Sequence, residues 1–311
     1  MTTATGSFEI RAATPAELPA IRDLLDASLD CDPDARSLPE LLAVGPHADP
    51  DLHLVALDGT EVVATGMAST RPTAANGLAG HLDLLAVSCS RARQGVGRAL
   101  LAALEERLGS RGVSVVRAGG NAPCYAWPGV DVRYTGMVQL LSSAGYLRRD
   151  GDGGEAVNMS VRLAAGTPWL DTSSDEARLV AAGFVVQRLE PGDPDFARFM
   201  TGWSPHLAWE VEQSAQRRPS ACHVARRTDT GDYVAFACHH SNRAGWFGPM
   251  GTDPSVRRFG IGSVLLRRCL ADLAAEGRSE AQIAWVGPIE FYARGVGARI
   301  SRVFWLFEKV L

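Results

Sequence analysis

The sequence predicts an α/β chain of the mixed, α+β kind: two tandem domains, each a mostly antiparallel sheet flanked by helices. Three observations predict it. Asp253-Pro-Ser-Val-Arg257-Arg-Phe-Gly260-Ile-Gly262 reads as a strand end, a glycine-bearing turn and the start of an amphipathic helix. A second turn, Ser90-Arg-Ala92-Arg-Gln-Gly95-Val-Gly97, lies far upstream, and one offset relates Gly95 to Gly260 and Gly97 to Gly262. Finally, Tyr125-Ala-Trp127-Pro-Gly129 after one predicted strand resembles Ile283-Ala-Trp285-Val-Gly287 after another. Two motifs repeated in the same order point to a duplicated domain.

The elements follow in order. Phe8-Glu-Ile-Arg11 reads as a short strand, and Pro15 to Ser28 as a helix with Leu18, Ile21, Leu24 and Leu25 on one face, entered through Thr14-Pro15. His53 to Leu57 and Val62 to Ser69 form a hairpin around Asp58-Gly59, and His81 to Val87 is the next strand. After the first glycine turn a helix runs to Leu108 and stops at Gly109. Val113 to Arg117 is a buried strand, Tyr134 to Ala144 a helix ended by Gly145, and Ala156 to Leu163 the last strand of this half. The plan then repeats: strand Val185 to Leu189, helices from Pro194 to Met200 and Leu207 to Ala215, and strands Cys222 to Ala225 and Tyr233 to His239 around Thr230-Gly231. Strand Trp246 to Thr252 leads into the second glycine turn, followed by helix Ser263 to Ala275, strand Ala281 to Val286, short helix Ile289 to Arg294 and final strand Val303 to Val310. The expected boundaries are therefore 1–163 for the first domain, 164–183 for a linker with a short helix from Asp175 to Ala182, and 184–311 for the second domain.

At 311 residues and 46% hydrophobic residues the chain is long and apolar enough for two cores of roughly 150 residues each. A net charge of -4 gives no general electrostatic attraction to nucleic acid. No apolar run approaches the roughly 20 residues that span a bilayer, and the first residues lack the basic and apolar regions of a secretory signal. The six cysteines are scattered without a Cys-x-x-Cys pair, so free thiols in a cytoplasmic protein are expected. Abundant Ala, Arg, Gly and Asp with few Lys is the bias of a high-GC bacterial coding sequence.

A glycine turn at a helix N-terminus presents successive backbone N–H groups, which suits a phosphate or pyrophosphate. The dinucleotide fingerprint is absent because Leu265 occupies the third-glycine position, and no Gly-Lys-Ser/Thr follows. The chain instead resembles a tandem member of the GNAT (GCN5-related N-acetyltransferase) superfamily, whose motif Arg/Gln-x-x-Gly-x-Gly/Ala is matched at every fixed position by Arg257-Arg-Phe-Gly260-Ile-Gly262. The upstream copy departs from it: Ala92 stands where Arg257 does, with Arg91 and Arg93 on either side as possible substitutes.

The resemblance implies a sheet whose central strand pair splays apart and acetyl-CoA as co-substrate. It implies acetyl transfer to a small-molecule primary amine through the C-terminal half, with a degenerate N-terminal half. The turn Arg257, Arg258, Phe259, Gly260, Ile261, Gly262 and Ser263 would hold the pyrophosphate, and Met250 and Thr252 the pantetheine. Tyr292 falls where family members place a general acid; the alternative is an aromatic of the core. Glu290, His239 and His240 are alternative bases or relay members, though adjacent strand residues point to opposite faces, which argues against a His-His chelate and for no metal. Trp246 and Trp285 are candidate pocket walls. In the N-terminal half the acid position holds Tyr134 by one alignment and Leu140 or Leu141 by another, and His81 and Asp83 alternate on a strand that could face a site. Two alternatives remain: a protein or peptide acceptor, and a non-catalytic acyl-CoA-binding module. No nucleic acid or membrane partner is expected, and the oligomeric state is monomer or homodimer.

Overall fold

The computed structural model describes residues 8–73, 77–149, 151–164 and 166–311. The leading segment 1–7 and residue 165 of the expected linker lie outside the described residues. The chain divides into two compact units, Met1–Ala156 with Val303–Leu311, and Val157–Arg302.

The first unit runs β1 (Glu9–Ala12), α1 (Leu18–Ser28), α2 (Leu38–Ala43), β2 (Ala48–Asp58), β3 (Glu61–Pro72), β4 (Leu78–Val87), α3 (Val96–Ser110), β5 (Val113–Ala118), β6 (Val130–Asp131), α4 (Thr135–Ser143) and β7 (Leu147–Arg148). Then come β8 (Glu155–Arg162), α5 (Ser173–Ala181), β9 (Phe184–Arg188), α6 (Pro194–Met200), α7 (Pro205–Ala215), β10 (Cys222–Arg227), β11 (Tyr233–His239), β12 (Trp246–Thr252), α8 (Ile261–Ala275), β13 (Glu280–Ile283), α9 (Ile289–Val296), β14 (Arg299–Trp305) and β15 (Phe307–Val310). Local chemistry accounts for many of the boundaries. Thr14 and Glu17 close a capping box ahead of α1, with the Thr14 N–H donating to Glu17 at 2.6 Å. Gly59 turns the β2–β3 hairpin at φ +60°, a conformation a side chain resists.

The first sheet has the order β1-β2-β3-β4-β5-β15-β7, antiparallel except where β4 runs parallel to β5. Alternation along its strands feeds two cores. Leu54 turns to α3 and packs with Leu100, Leu104 and Leu108, while Val55 turns to α1 and packs with Ile21 and Leu25. The second unit repeats this with β8-β13-β12-β11-β10-β9. Ala235 and Ala237 face Leu266 and Leu270 of α8, and Phe236 and Cys238 face Phe196, Met200 and Val211 of α6 and α7.

The unit boundaries differ from those expected. The strand expected to close the first domain, β8, pairs with β13 in the second unit, from Glu280↔Arg162 to Ile283↔Met159. The strand expected to close the second domain breaks at Leu306, and its outer part, β15, pairs with β5 in the first unit from Phe307↔Ala118 to Val310↔Val115. Each half lends its last strand to the other's sheet. Partner-specific bonds secure both: the buried Asn158 amide donates to Gln282 Oε1 at 2.7 Å and accepts from the Trp285 N–H at 2.9 Å, and Lys309 Nζ meets Glu105 at 2.8 Å. The expected linker helix is α5, which belongs to the second unit through Asp175–Arg267 and Glu176–Arg268 ion pairs. Among the described residues no helix is long and apolar enough to cross a membrane, and all six cysteines are free.

Candidate active site

In the first unit the parallel ladder between β4 and β5 spans Leu78↔Val113 to Leu82↔Ala118 and then ends. On the other side of β4 the register slips: Met67 faces Leu84 and Ala68 faces Leu82, so Asp83 is the extra, bulged residue. The strands part beyond this point and leave a cleft of about 890 Å³, lined by Leu82 to Val87, the glycine turn and α4. Such a volume lies within the range of small-molecule sites, roughly 300–1,000 Å³.

The turn closes one end of the cleft. Arg93 at φ +59° and Gly95 at φ +88° are left-handed, and Gly95 caps α3. A Cβ on Gly97 would stand 3.2 Å from Val87, so the helix start approaches β4 closely. Of the two arginines flanking Ala92, Arg91 is committed to an ion pair with Asp58, whereas Arg93 lines the cleft together with Arg98. Arg93, and Arg98, whose guanidinium also bonds Ser143 at 2.7 Å, thus bring positive charge to the wall of the cleft.

Tyr134 sits at the N-cap of α4 and lines the cleft. Its hydroxyl donates to Asp32 at 2.6 Å, and the Trp127 indole N–H donates to the same buried carboxylate at 3.2 Å. Of the alternatives for the acid position, Tyr134 and Leu140 both line the cleft, whereas Leu141 is buried in the core. Asp32, on a loop, has no sequence signal of its own.

At the bulge, Asp83 borders the cleft and also a second cavity of about 300 Å³ beneath α1 and α2. Burial pushes its pKa up to about 7, opposed by a hydrogen bond with Ser69. The buried Asn121 amide donates to Ser69 Oγ at 2.6 Å. Asp83 Oδ1 and Asn121 Oδ1 are both buried without a hydrogen-bond partner. His81, one side of the bulge, bonds the Gly119 carbonyl at 3.1 Å, and burial lowers its pKa to about 4, so it is a neutral imidazole at pH 7. An aspartate poised near pH 7 between two cavities is suited to accept a proton from a group in either.

The second unit repeats the backbone plan with other surroundings. The β12–β13 ladder ends at Phe247↔Ile283, and the β11 register slips between Ala237 and His239. Arg258 at φ +80° and Gly260 at φ +86° reproduce the left-handed pair of the first turn. Met250 and Thr252 lie against Gly262, whose added Cβ would stand 3.2 and 3.5 Å from them, so the residues expected to hold the cofactor do converge. The surroundings are crowded, however. A cavity of about 250 Å³ at Gly260 and Ser263 is walled by Asp175, Arg178 and Leu179 of α5. Asp175, paired with Arg267 and Arg178, sets a carboxylate in the same cavity as Gly260 and Ser263. Phe259 packs on Phe184 at 5.0 Å. Arg257 is exposed and contacts the Thr252 carbonyl at 3.4 Å.

The expected catalytic residues of this half stand in three environments. Tyr292 is a core residue, its ring 6.1 Å from Phe247 and 5.0 Å from Phe291, with burial raising its pKa to about 12. Glu290 is exposed and pairs with Arg294 one turn along at 2.6 Å. His239 is buried against α8, 3.2 Å from Asp272, which also receives His223 at 2.7 Å and Arg188 at 2.8 Å. Burial alone would raise the Asp272 pKa, but these bonds hold it well below the carboxylate range. The alternation argument against a His-His pair fails locally. The strand ends at His239, and His240 turns left-handed at φ +59°, bringing the two rings to 4.7 Å. Candidate ligand atoms of His239, His240 and Glu276 lie within 4.8 Å of one another. His240 spends both nitrogens inside the protein, one accepting from the Gly245 N–H at 2.8 Å and the other at Glu276 at 3.0 Å. Trp246 is buried beneath Arg243 and Trp285 is partly exposed, and neither lines the cavity at the second turn.

Comparison with known proteins agrees with this geometry. The model of the acetyltransferase (GNAT) family matches twice, at residues 18–125 and 191–298, and the chain belongs to that family. Its fold is that of tandem GNAT proteins. A GCN5-related glucosamine N-acetyltransferase region of a fungal multi-domain GH3 β-N-acetylglucosaminidase matches with a TM-score of 0.78 at 20% identity, over 99% of this chain and 38% of that one. The chain thus spans well under half of that relative's length. A GCN5-related N-acetyltransferase from Sphaerobacter thermophilus matches at 0.68 and 19% identity, over 100% and 97% of the two chains. A tandem GNAT protein from the clavulanic acid biosynthesis pathway matches at 0.62 and 15%, over 98% of each. No curated protein matches the sequence significantly.

Proposed function

We propose that the chain is an acetyl-CoA-dependent N-acetyltransferase acting on a small primary amine, and that the first unit carries the reaction. The observation behind this reading is Asp83, a bulged and buried carboxyl shared by the 890 Å³ cleft and the 300 Å³ cavity. The cleft has the features acetyl-CoA needs. The Gly95 turn with Arg93 and Arg98 would hold the pyrophosphate, and the edge of β4 released from β5 would take pantetheine as an added strand. The bound thioester supplies an activated acyl group. The amine would enter from the cavity on the other side of Asp83.

An alkylammonium, with a reference pKa near 10.4 for lysine, must lose a proton before it attacks. Asp83 takes that proton, the amide bond forms as the C–S bond breaks, and Tyr134, its O–H turning away from Asp32, hands a proton to the departing thiolate. The nitrogen loses two protons in all: the first passes through Asp83 to solvent, and the second, released as the tetrahedral intermediate collapses, returns to the Tyr134 phenolate. Asp32 and Trp127 orient the phenol.

The second reading keeps the reaction but moves it to the second unit, with Tyr292, Glu290 and His239 as its proton-handling residues. The complete Arg257-x-x-Gly260-x-Gly262 motif favours it. Thermal stabilisation by acetyl-CoA and thiol release separate the two. We expect Gly95→Glu to lose both signals and Gly260→Glu to keep them. The reverse result assigns the site to the second unit. Turnover confined to peptides would replace the small amine with a protein acceptor, and stabilisation without turnover on any acceptor would mean a binding module.

A further inference from the structure

The 300 Å³ cavity carries information about the acceptor. Resting on the first-unit reading above, we infer that it takes a primary amine borne on a compact, uncharged, largely apolar skeleton: a small aryl- or alkylamine rather than an amino acid or an amino sugar.

The walls define the skeleton. Leu18, Ile21, Pro39, Leu42, Ala43 and Met67, from α1, α2 and β3, are among the apolar side chains that line it. No Arg or Lys is among the described residues lining it, and the basic side chains at its wall are the imidazoles of His47 and His53, so a carboxylate or phosphate on the acceptor meets no permanent cation. Of the other acidic groups at the wall, Asp49 is paired with Arg111 at 2.8 Å, and Glu40 gives Oε1 to Arg22 while its buried Oε2 has no hydrogen-bond partner and adds a further acceptor for an amine. His53 is engaged with Thr65 at 3.2 Å and kept neutral by burial. Sugar hydroxyls would therefore lose water with few polar groups to replace it, which penalises each unmatched group.

The nitrogen end is defined by what is unsatisfied. Asn121 spends its N–H on Ser69, so the atom it leaves free is an acceptor, Oδ1. Asp83 hydrogen-bonds Ser69 and leaves Oδ1 free. Two buried acceptors, joined through one serine, line the same cavity. Buried acceptors without donors are costly, and a group that brings several N–H donors relieves both. An ammonium has three and a hydroxyl one, so the pair selects an amine over an alcohol.

The test compares 2-phenylethylamine with phenylalanine, which differ by one carboxylate, and adds hexylamine and glucosamine. Thiol release is followed in wild type, Gly95→Glu and Gly260→Glu. We expect kcat/KM for 2-phenylethylamine to exceed that for phenylalanine and for glucosamine by about a hundredfold or more, since neither carboxylate nor hydroxyls find partners. Leu18→Arg, at a half-buried position, should narrow the phenylalanine gap about tenfold by supplying a cation. Asn121→Leu should raise KM for 2-phenylethylamine with kcat little changed. Equal or better use of phenylalanine or glucosamine by an enzyme that Gly95→Glu inactivates overturns the acceptor class alone. Loss of turnover in Gly260→Glu but not in Gly95→Glu overturns the first-unit reading beneath it, as does the absence of turnover on every amine.

Discussion

The two glycine turns make an instructive pair. Both place a left-handed residue and then a left-handed glycine before a helix of fifteen residues, and both follow a strand that parts from its parallel neighbour. The second turn has the complete motif, yet Asp175, Arg178 and Leu179 of α5 wall the cavity beside it, and Tyr292 is built into the core. The first turn lacks the arginine, yet it opens on a long cleft, takes its charge from Arg93 and Arg98, and leads to a bulged aspartate. Backbone amides bind phosphate whatever the neighbouring side chains are. What distinguishes the two turns is therefore the element that packs beside each, more than the motif itself.

Three experiments would break or sharpen this contrast. The largest effect is expected at Asp83. Asp83→Asn should lower kcat about 10²–10⁴-fold and remove the rise in kcat/KM through about pH 7 that a base of that pKa imposes. A retained pH profile would exclude Asp83 as the base. The same variant tests the energetics. A carboxyl raised from 3.8 to about 7 on folding binds protons more tightly in the folded state, so stability falls as pH rises between those values. Asp83→Asn should thus be more stable than wild type at pH 8, by on the order of 4 kcal/mol, and no more stable at pH 3, as read by urea unfolding.

An intermediate effect is expected for the tyrosines. Tyr134→Phe should slow turnover about 10–100-fold at unchanged acetyl-CoA affinity. Tyr292→Phe should leave turnover nearly intact, because its ring is packing rather than lining the cavity at the second turn. Equal losses would restore the second unit as a participant. The smallest effect is expected for Asp175→Ala, which removes the anion beside the second turn. Isothermal titration should change from one acetyl-CoA per chain towards two, the second binding weakly. An unchanged single site would mean that sterics, rather than the Asp175 charge, closes that turn.

Much of the molecule was legible in the residues. Thr14-Pro15 announced α1, Asp58-Gly59 and Thr230-Gly231 announced their hairpins, and the Gly-x-Gly pairs announced α3 and α8, because caps, turns and helical periodicity are local chemistry. Asp83 was visible only as a polar residue alternating with His81. Its separation from His81 depends on a bulge that exists only against β3. Asn121, Ser69 and Asp32 belong to no motif, and their roles come from partners far away in the chain: Ser69 and Asn121 meet across the fold, as do Asp32 and Tyr134.

The sequence by itself determined the duplicated plan, the order of elements and the presence of two phosphate-shaped turns, since each depends on residues close together along the chain. Only the tertiary structure decided which sheet receives β8 and which receives β15. An apolar alternating strand satisfies the equivalent slot in either of two similar sheets, and long-range partners such as Asn158–Gln282 and Lys309–Glu105 accompany the choice. The tertiary structure likewise decided the surroundings of each turn: α5 packs beside the second, and the parting of β4 from β5 opens the 890 Å³ cleft beside the first.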